Sequence, residues 1–546
     1  MNLMFLKKKY ILLFFISLLA IILRFWKIDS LPSSLTWDEV SWGYNAYSLG
    51  LDGRDEFGRF LPLTYLESFG DFKPPVYAYL TIIPVWLFGL NEFSTRFASA
   101  FFGSLTVFVT YFLVKSIFKE EKYVEAISLF SAFFLGISPW HVNLSRAAFE
   151  ANVSTFLLTT GIYFFLKAMR YRKAYLFASA LFFVLSIYTF NTARIFAPLF
   201  LIFLAFGFRK ELIAYKKDVL FAIIFGFVLL LPILPFLFSA QAGLRYREVN
   251  IFSDISVIER TNQEIINDNN AAWSRIIHNR RLAYSFEFIR HYFDNLNPSF
   301  LFISGDGNPK FSTQDVGQLY LFDLPFLIIG GFLLFKFKKG FWWILPGWLF
   351  LGIIPAAITR ETPHALRIEN VLPTFQIVVS YGLVYVLRHI DSYKSLLRKG
   401  LVIAIFSTLF LQMSYYLHGY YSHYSMEFSG EWQYGYKNSI SYINNIQSNY
   451  DEVYFTTELG RPYAYLLFYL KILPEDFRKK SIITRDAFGF VTVEKVGKYN
   501  FIKSFNRIVK KNKQLFLTNS TAPVGVKILN EFKLLNGNVI LTAYEY

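Results

Sequence analysis

A chain of 546 residues with 54% hydrophobic, 20% aromatic and only 17% charged side chains is too apolar for a soluble protein, in which charge runs near about 25%. It has no cysteine, which excludes disulfides, thiolate catalysis and cysteine-ligated metals, and its seven histidines include no H-x-x-x-H pair, which argues against a dedicated zinc site. The net charge of +16 falls in short clusters between apolar runs, a mark of membrane topology and not of nucleic-acid binding.

The first apolar run, Tyr10 to Phe25, follows Lys7, Lys8 and Lys9. Its flank, Arg24-Phe-Trp-Lys27, offers no small-residue cleavage site, so an uncleaved transmembrane helix is expected. A span needs about 20 apolar residues. Further candidates lie near 96–118, 123–140, 151–168, 174–190, 194–208, 219–238, 319–335, 341–358, 369–388 and 401–418. With the first, near 8–26, they predict an all-α polytopic bundle of about eleven transmembrane helices.

One run, Val76 to Leu90, is short, contains Pro84 and has no basic flank. If it does not cross, the clusters Lys115/Lys119/Lys122, Lys167/Arg170/Arg172/Lys173, Arg209/Lys210/Lys216/Lys217, Lys336/Lys338/Lys339 and Arg388/Lys394/Arg398/Lys399 all join the N-terminal lysines in the cytoplasm. If it crosses, every later cluster faces outward. The positive-inside rule selects the first arrangement, and 76–90 is expected as an interfacial or re-entrant helix.

The extracytoplasmic face then carries loops at 26–95, 141–150, 239–318 and 359–368, with a turn near 190–194. Loops this long are commonly functional. Residues 1–418 form the transmembrane domain, and 419–546 change character. Apolar runs there shorten to strand length, as in Val453–Thr457, Gln514–Thr518 and Val539–Ala543, with an amphipathic helix near 461–472. A small extracytoplasmic α/β domain is expected. No internal repeat and no low-complexity tract is present.

Candidate chemistry lies on the outer loops. Asp38 and Glu39, in Thr36-Trp-Asp-Glu-Val40, sit at the membrane surface on a short helix expected to begin near Ser34. Asp38 suits a general base for an acceptor hydroxyl, with Glu39 assisting or orienting; the bland alternative is a pair of acids complementing the helix dipole. Lys73, in Asp71-Phe-Lys-Pro-Pro75, suits a phosphate at headgroup level, or else simply snorkels. Arg146 and Glu150 are four apart, so an ion pair on one helix face competes with roles in holding phosphate or orienting base or sugar. Arg194 and Arg367, at outer helix ends, suit bidentate phosphate recognition or anchoring. His141, Tyr188 and His364 lie in the same outer turns and are candidates for substrate contact. Trp273 to Arg281 suits a lid helix, and Gly305-Asp-Gly-Asn-Pro309 is a tight turn too weak to be read as a phosphate loop. No D-x-D run occurs, so a donor embedded in the membrane fits better than a metal-bound nucleotide sugar.

Taken in order, Asp38-Glu39, Gly70-Asp-Phe-Lys73-Pro-Pro and Leu87-Phe-Gly-Leu-Asn-Glu-Phe-Ser-Thr-Arg96 resemble the protein O-mannosyltransferase and aminoarabinose transferase group, C-type membrane glycosyltransferases that use polyprenyl-phosphate sugars. The resemblance covers about residues 10–210 well and the later helices loosely. It implies that Asp38 matches the essential acid of the first outer loop, Lys73 a donor-phosphate contact and Glu150 the second-loop acid. It also implies a juxtamembrane helix at 76–90. In the aminoarabinose branch a glutamate precedes the lysine; here Phe72 stands there, with Asp71 one step earlier, a departure that puts that activity, and a metal site using that glutamate, in doubt.

The expected function is transfer of a sugar from a polyprenyl-phosphate donor to a protein, lipid or glycan hydroxyl outside the cell membrane. Asp38, Glu39 and Glu150 are the catalytic candidates, and Lys73, Arg146, Arg194 and Arg367 bind the donor phosphate. No cofactor is required for this chemistry, although a divalent cation near the acids is compatible with it. The cysteine-free composition and short loops suggest a bacterial plasma membrane, with the N-terminus cytoplasmic and the C-terminal domain outside. The rival readings are a transporter or flippase of lipid-linked sugars, which repeated halves and midplane helix breaks would favour, and a non-catalytic scaffold presenting the C-terminal domain.

Overall fold

A computed structural model of the protein describes residues 3–239, 242–243, 249–485, 491–506, 508–509 and 511–546, with side chains from Lys8 onward. The Lys7 side chain and residues 240–241 and 244–248 of the expected 239–318 loop lie outside the described residues.

Each expected span coincides with a helix: Leu3–Phe25, Glu92–Ile117, Val124–Ile137, Glu150–Arg170, Tyr175–Ile187, Ala193–Gly207, Lys216–Leu230, Asp323–Phe337, Ile344–Ala357, Thr374–Ile390 and Ser395–His418. Helix length is less generous than hydropathy. Among the described residues four continuous stretches are long and apolar enough to cross a membrane: Glu92–Ile117, Lys216–Leu237, Glu369–Ile390 and Ser395–Glu427. A fifth appears if Val124–Ile137 and Pro139–Ser145, bent by 55°, count as one. Tyr175–Ile187, Ala193–Gly207 and Ile344–Ala357 have 13, 15 and 14 residues, hence roughly 20–22 Å of helix against a hydrocarbon core of about 30 Å. The helix Val76–Phe88 has 13 residues and is equally short for a crossing; Ile83, Trp86, Leu87 and Phe88 are exposed along it.

The chain forms two compact units. The first comprises Met1–Leu23, Phe102–Ser145 and Glu150–Tyr416. Its core is aromatic and aliphatic, with Phe196, Phe200, Trp348, Ile377 and Tyr381 buried together. Two of its helices meet backbone to backbone. A Cβ on Gly330 would stand 2.0 Å from the Val378 carbonyl oxygen, and one on Gly382 would stand 2.1 Å from that of Phe326. Small residues permit this approach where no hydrophobic force draws helices together in lipid.

The second unit comprises Arg24–Phe101, Arg146–Phe149 and Leu417–Tyr546, so the 26–95 loop folds with the C-terminal region. That region contains a seven-stranded sheet in the order Ser481–Arg485, Val491–Val496, Tyr499–Ile502, Glu452–Thr456, Gln514–Thr518, Val539–Glu545, Lys527–Lys533. The strand Glu452–Thr456 runs parallel to both its neighbours, and the outer pairs are antiparallel. The strands expected at 514–518 and 539–543 lie within Gln514–Thr518 and Val539–Glu545, the one expected at 453–457 is Glu452–Thr456, shifted by one residue, and the helix expected near 461–472 is Pro462–Tyr469. A continuous core joins Leu35, Val40, Tyr44 and Phe69 of the loop to Tyr436, Tyr465, Phe468, Phe477 and Leu515. The contact is close: a Cβ on Gly43 would lie 2.6 Å from the Phe468 ring and 2.5 Å from Thr95 Oγ1. Burial of loop side chains against the sheet domain is therefore what fixes the loop.

Candidate active site

The loop helix spans Trp37–Asp52. It starts three residues later than expected because Thr36 is its N-cap: Thr36 Oγ1 accepts from the Glu39 N–H, and the Glu39 carboxylate accepts from the Thr36 N–H at 2.9 Å. This reciprocal capping box fixes the first turn. Gly53, at φ 71°, closes the other end in the left-handed conformation that glycine adopts without steric cost.

The two adjacent acids have different fates. Glu39 is fully buried. Its Oε1 accepts from Arg96 Nε at 2.8 Å and from the Ala148 N–H at 2.9 Å, and its Oε2 accepts from the Thr36 N–H and from Arg96 Nη2 at 3.2 Å. A carboxylate engaged by four donors is an anchor; it orients its neighbour and is not placed to take a substrate proton. Asp38 points the other way, half exposed, and Lys73 Nζ donates to its Oδ1 at 2.5 Å.

Lys73 ends the short strand Asp71–Lys73, which pairs antiparallel with Leu66–Ser68. Its ammonium is nearly buried, lying 5.0 Å from the Trp42 ring centroid and 5.1 Å from that of Phe69. Cation–π attraction holds a positive charge there at low hydration. The Arg461 guanidinium, from the C-terminal region, lies 5.3 Å from the same Phe69 ring and is exposed. Two cations thus flank one aromatic ring beside an exposed carboxylate, an arrangement suited to an oxyanion.

Beneath this lies a polar network. Ser41 Oγ donates to Ser68 Oγ at 2.6 Å, and Asn45 Nδ2 donates to the same oxygen at 3.0 Å. The Glu56 N–H donates to Asn45 Oδ1 at 3.0 Å. Burial pushes the Glu56 carboxyl up to about 8, so it is neutral at pH 7 and leaves the Lys73 charge to Asp38. Gln433 ties the helix start to the sheet domain, its Oε1 accepting from the Trp37 N–H at 2.9 Å and from the Tyr465 hydroxyl.

Arg146 does not fit the phosphate-binding role expected of it. It is fully buried and donates to the Tyr420 hydroxyl and to the carbonyls of Arg24, Trp26 and Leu31. Those bonds make it a mooring for the start of the 26–95 loop.

The other expected residues belong to the first unit. Glu150 begins the helix Glu150–Arg170, and His141 is buried in the helix Pro139–Ser145. The Tyr188 hydroxyl donates to the Leu229 carbonyl at 2.9 Å, a packing contact. Arg194 Nε reaches the Ile187 carbonyl at 3.4 Å, while its Nη2 is buried with no hydrogen-bond partner. Arg367 donates to Thr359 Oγ1 at 2.8 Å and to the exposed Glu361 carboxylate at 3.0 Å. His364 packs against Phe311 with the rings tilted by 34° and their centroids 4.8 Å apart, and burial lowers its pKa well below the usual range, so it is neutral. Asp306, in the tight turn, accepts from the Ala365 N–H at 2.7 Å and is raised to about 6 by burial. No group of three or more His, Asp or Glu side chains suited to a metal occurs among the described residues.

Sequence reasoning missed Arg461, Gln433 and Glu56. Gln433 lies 396 residues from Trp37, to which it bonds, and Arg461 is similarly distant from the Phe69 ring it faces, and nothing local marks them. Glu56 follows Asp55 in a turn that reads as solvated.

Residues 72–236, less than a third of the chain, match the family model for dolichyl-phosphate-mannose-protein mannosyltransferase. No curated protein matches the chain by sequence. Among solved structures, ArnT from Cupriavidus metallidurans bound to undecaprenyl phosphate is similar with a TM-score of 0.52 at 13% identity, over 97% of this chain and 97% of that one. The same protein in the apo state gives 0.50 at 13%, over 84% of each chain. The archaeal oligosaccharyltransferase AglB from Archaeoglobus fulgidus, in complex with an inhibitory peptide and a dolichol-phosphate, gives 0.50 at 14%, over 86% of this chain and 64% of that one. The fold is shared with these proteins. Together with the family match over residues 72–236, it agrees with the group that the first-loop residues resemble.

Proposed function

We propose that this chain is a C-type membrane glycosyltransferase that moves a sugar from a polyprenyl-phosphate donor to a hydroxyl acceptor on the outer face of the membrane, with Asp38 as the base. The observation that carries the reading is the Asp38–Lys73 pair: an exposed carboxylate held at 2.5 Å by a nearly buried ammonium.

The pair suggests an order of events. A carboxylate paired with a lysine is a poor base. A donor phosphate entering between Lys73 and Arg461 competes for the ammonium and releases Asp38. The acceptor oxygen then attacks the anomeric carbon as its proton passes to Asp38. The bond from that carbon to the phosphate oxygen breaks, its electron pair leaves with the polyprenyl phosphate, and the configuration inverts. Cations at the phosphate stabilise the developing charge, and no acid is needed on that side. The Asp38 proton returns to solvent.

In the first unit, Arg194 keeps a buried donor free of hydrogen bonds and Arg367 holds a carboxylate that an anion can displace. We propose both as anion-binding residues of that unit, with Glu150, His141 and His364 as its polar contacts for sugar or acceptor. The topology proposed is about eleven spans with the N-terminus cytoplasmic.

The test is transfer by the purified protein from a panel of polyprenyl-phosphate sugars, with products identified by mass spectrometry. Release of polyprenyl phosphate coupled to one glycosylated product supports the reading. Transport of intact lipid-linked sugar in vesicles, without release, overturns it.

A further inference from the structure

The sequence offers no histidine pair at α-helical spacing, yet the fold makes one. Gly419–Tyr424 continue the helix Ser395–His418 with a widened π-helical turn. Residues five apart in an α-helix are about 140° apart around its axis, whereas the i→i+5 turn brings them onto one face. His418 and His423 are five apart, and their Nε2 atoms stand 3.2 Å from each other. Both rings are exposed. His418 Nδ1 lies 3.4 Å from Ser422 Oγ, a contact that orients the ring and directs its Nε2 toward His423.

We propose that His418 and His423 form a bidentate site for a first-row transition-metal dication, zinc above all. Two imidazole nitrogens bound tetrahedrally at about 2.0–2.1 Å stand about 3.3 Å apart, and the observed pair is already at that separation. Imidazole suits zinc, copper and nickel and does not suit magnesium or calcium. Water completes the coordination, so the metal exchanges readily. Without metal, one Nε2–H donates to the other ring. Metal binding needs both rings in the Nδ1–H tautomer; the proton moves from Nε2 to Nδ1, and none is lost. On His418 that Nδ1–H then donates to Ser422 Oγ, a partner of the kind that orients metal-binding histidines.

The clip closes on the turn that holds Arg146. Tyr420 accepts from Arg146 Nε at 3.1 Å, and the guanidinium lies 5.2 Å from the Tyr420 and Tyr421 rings. Metal at the pair therefore stiffens the mooring of the loop that carries Asp38.

The experiment is calorimetric titration of the chelator-treated, full-length protein in detergent with zinc chloride near neutral pH. His278, which contacts Glu264 and Asp268, provides the control. One zinc per chain is expected, with affinity falling at least tenfold in His418→Ala and in His423→Ala alike and unchanged in His278→Ala. Thermal unfolding should shift upward with zinc in the wild type and not in either variant. If an alanine variant misfolds, His418→Gln and His423→Gln are read the same way. No binding by the wild type, uptake that survives both substitutions, or loss in His278→Ala overturns the site.

Discussion

Arg96 donates all five of its N–H groups inside the fold, two of them to Glu39, the residue next to Asp38. Nε and one Nη2 hydrogen bond reach Glu39, the other Nη2 hydrogen reaches the Ser34 carbonyl, and Nη1 reaches the carbonyls of Ile28 and Pro32. Both side chains are completely buried. The pair sets where the loop helix starts, and therefore where Asp38 points.

Removing one partner of such a pair leaves an uncompensated buried charge, at a cost of about 3–5 kcal/mol. Arg96→Met is expected to lower the thermal unfolding temperature in detergent far more than Asp38→Asn does. Equal, small shifts in the two variants would contradict the anchor role.

Lys73 and Arg461 should differ in weight. Loss of a charged hydrogen bond to phosphate costs about 1.5–3 kcal/mol, or about 10- to 150-fold in affinity. Lys73→Gln is expected to weaken polyprenyl-phosphate binding by that amount, and exposed Arg461→Gln by less. Unchanged binding in Lys73→Gln would remove the lysine from the donor site.

Glu56 makes stability depend on pH in a defined direction. Its folded pKa, about 8, lies above its ordinary 4.5. The folded state therefore holds a proton that the unfolded state releases, and the contribution, complete below about 4.5, is lost as pH rises to about 8. Glu56→Gln should flatten the fall in stability between pH 5 and 8. A variant with the wild-type slope would show that another group titrates.

The C-terminal region should be needed for the loop to fold. A chain ending at residue 418 lacks Gln433, Tyr465 and Phe468, against which the loop helix packs. Limited proteolysis should cut the truncated chain within residues 54–72 and spare the full-length protein. Retained activity in the truncated chain would contradict this.

Much of the fold was legible because hydrophobic runs and cationic flanks are local signals. All eleven expected runs are helical, and the short run at Val76 stays short. Helix lengths were not legible: the run expected near 174–190 is helical only over Tyr175–Ile187, ending three residues before the expected turn. Asp38 and Lys73 stood out by residue type and come together as an ion pair. Arg146 also stood out, yet its donors are spent on backbone carbonyls of a chain segment about 120 residues away, a contact no local pattern records. A still larger separation, of 396 residues between Trp37 and Gln433, conceals Gln433, and a similar one conceals Arg461. The His418–His423 pair escaped because it depends on a π turn, and the helical pattern alone does not announce one.

The central claim is that Asp38 takes the acceptor proton. The direct measurement is single-turnover sugar transfer by Asp38→Asn beside donor binding by the same variant. The account predicts a rate lowered by about 100-fold or more, with polyprenyl-phosphate binding retained and the unfolding temperature unchanged. Transfer at the wild-type rate in Asp38→Asn would contradict it.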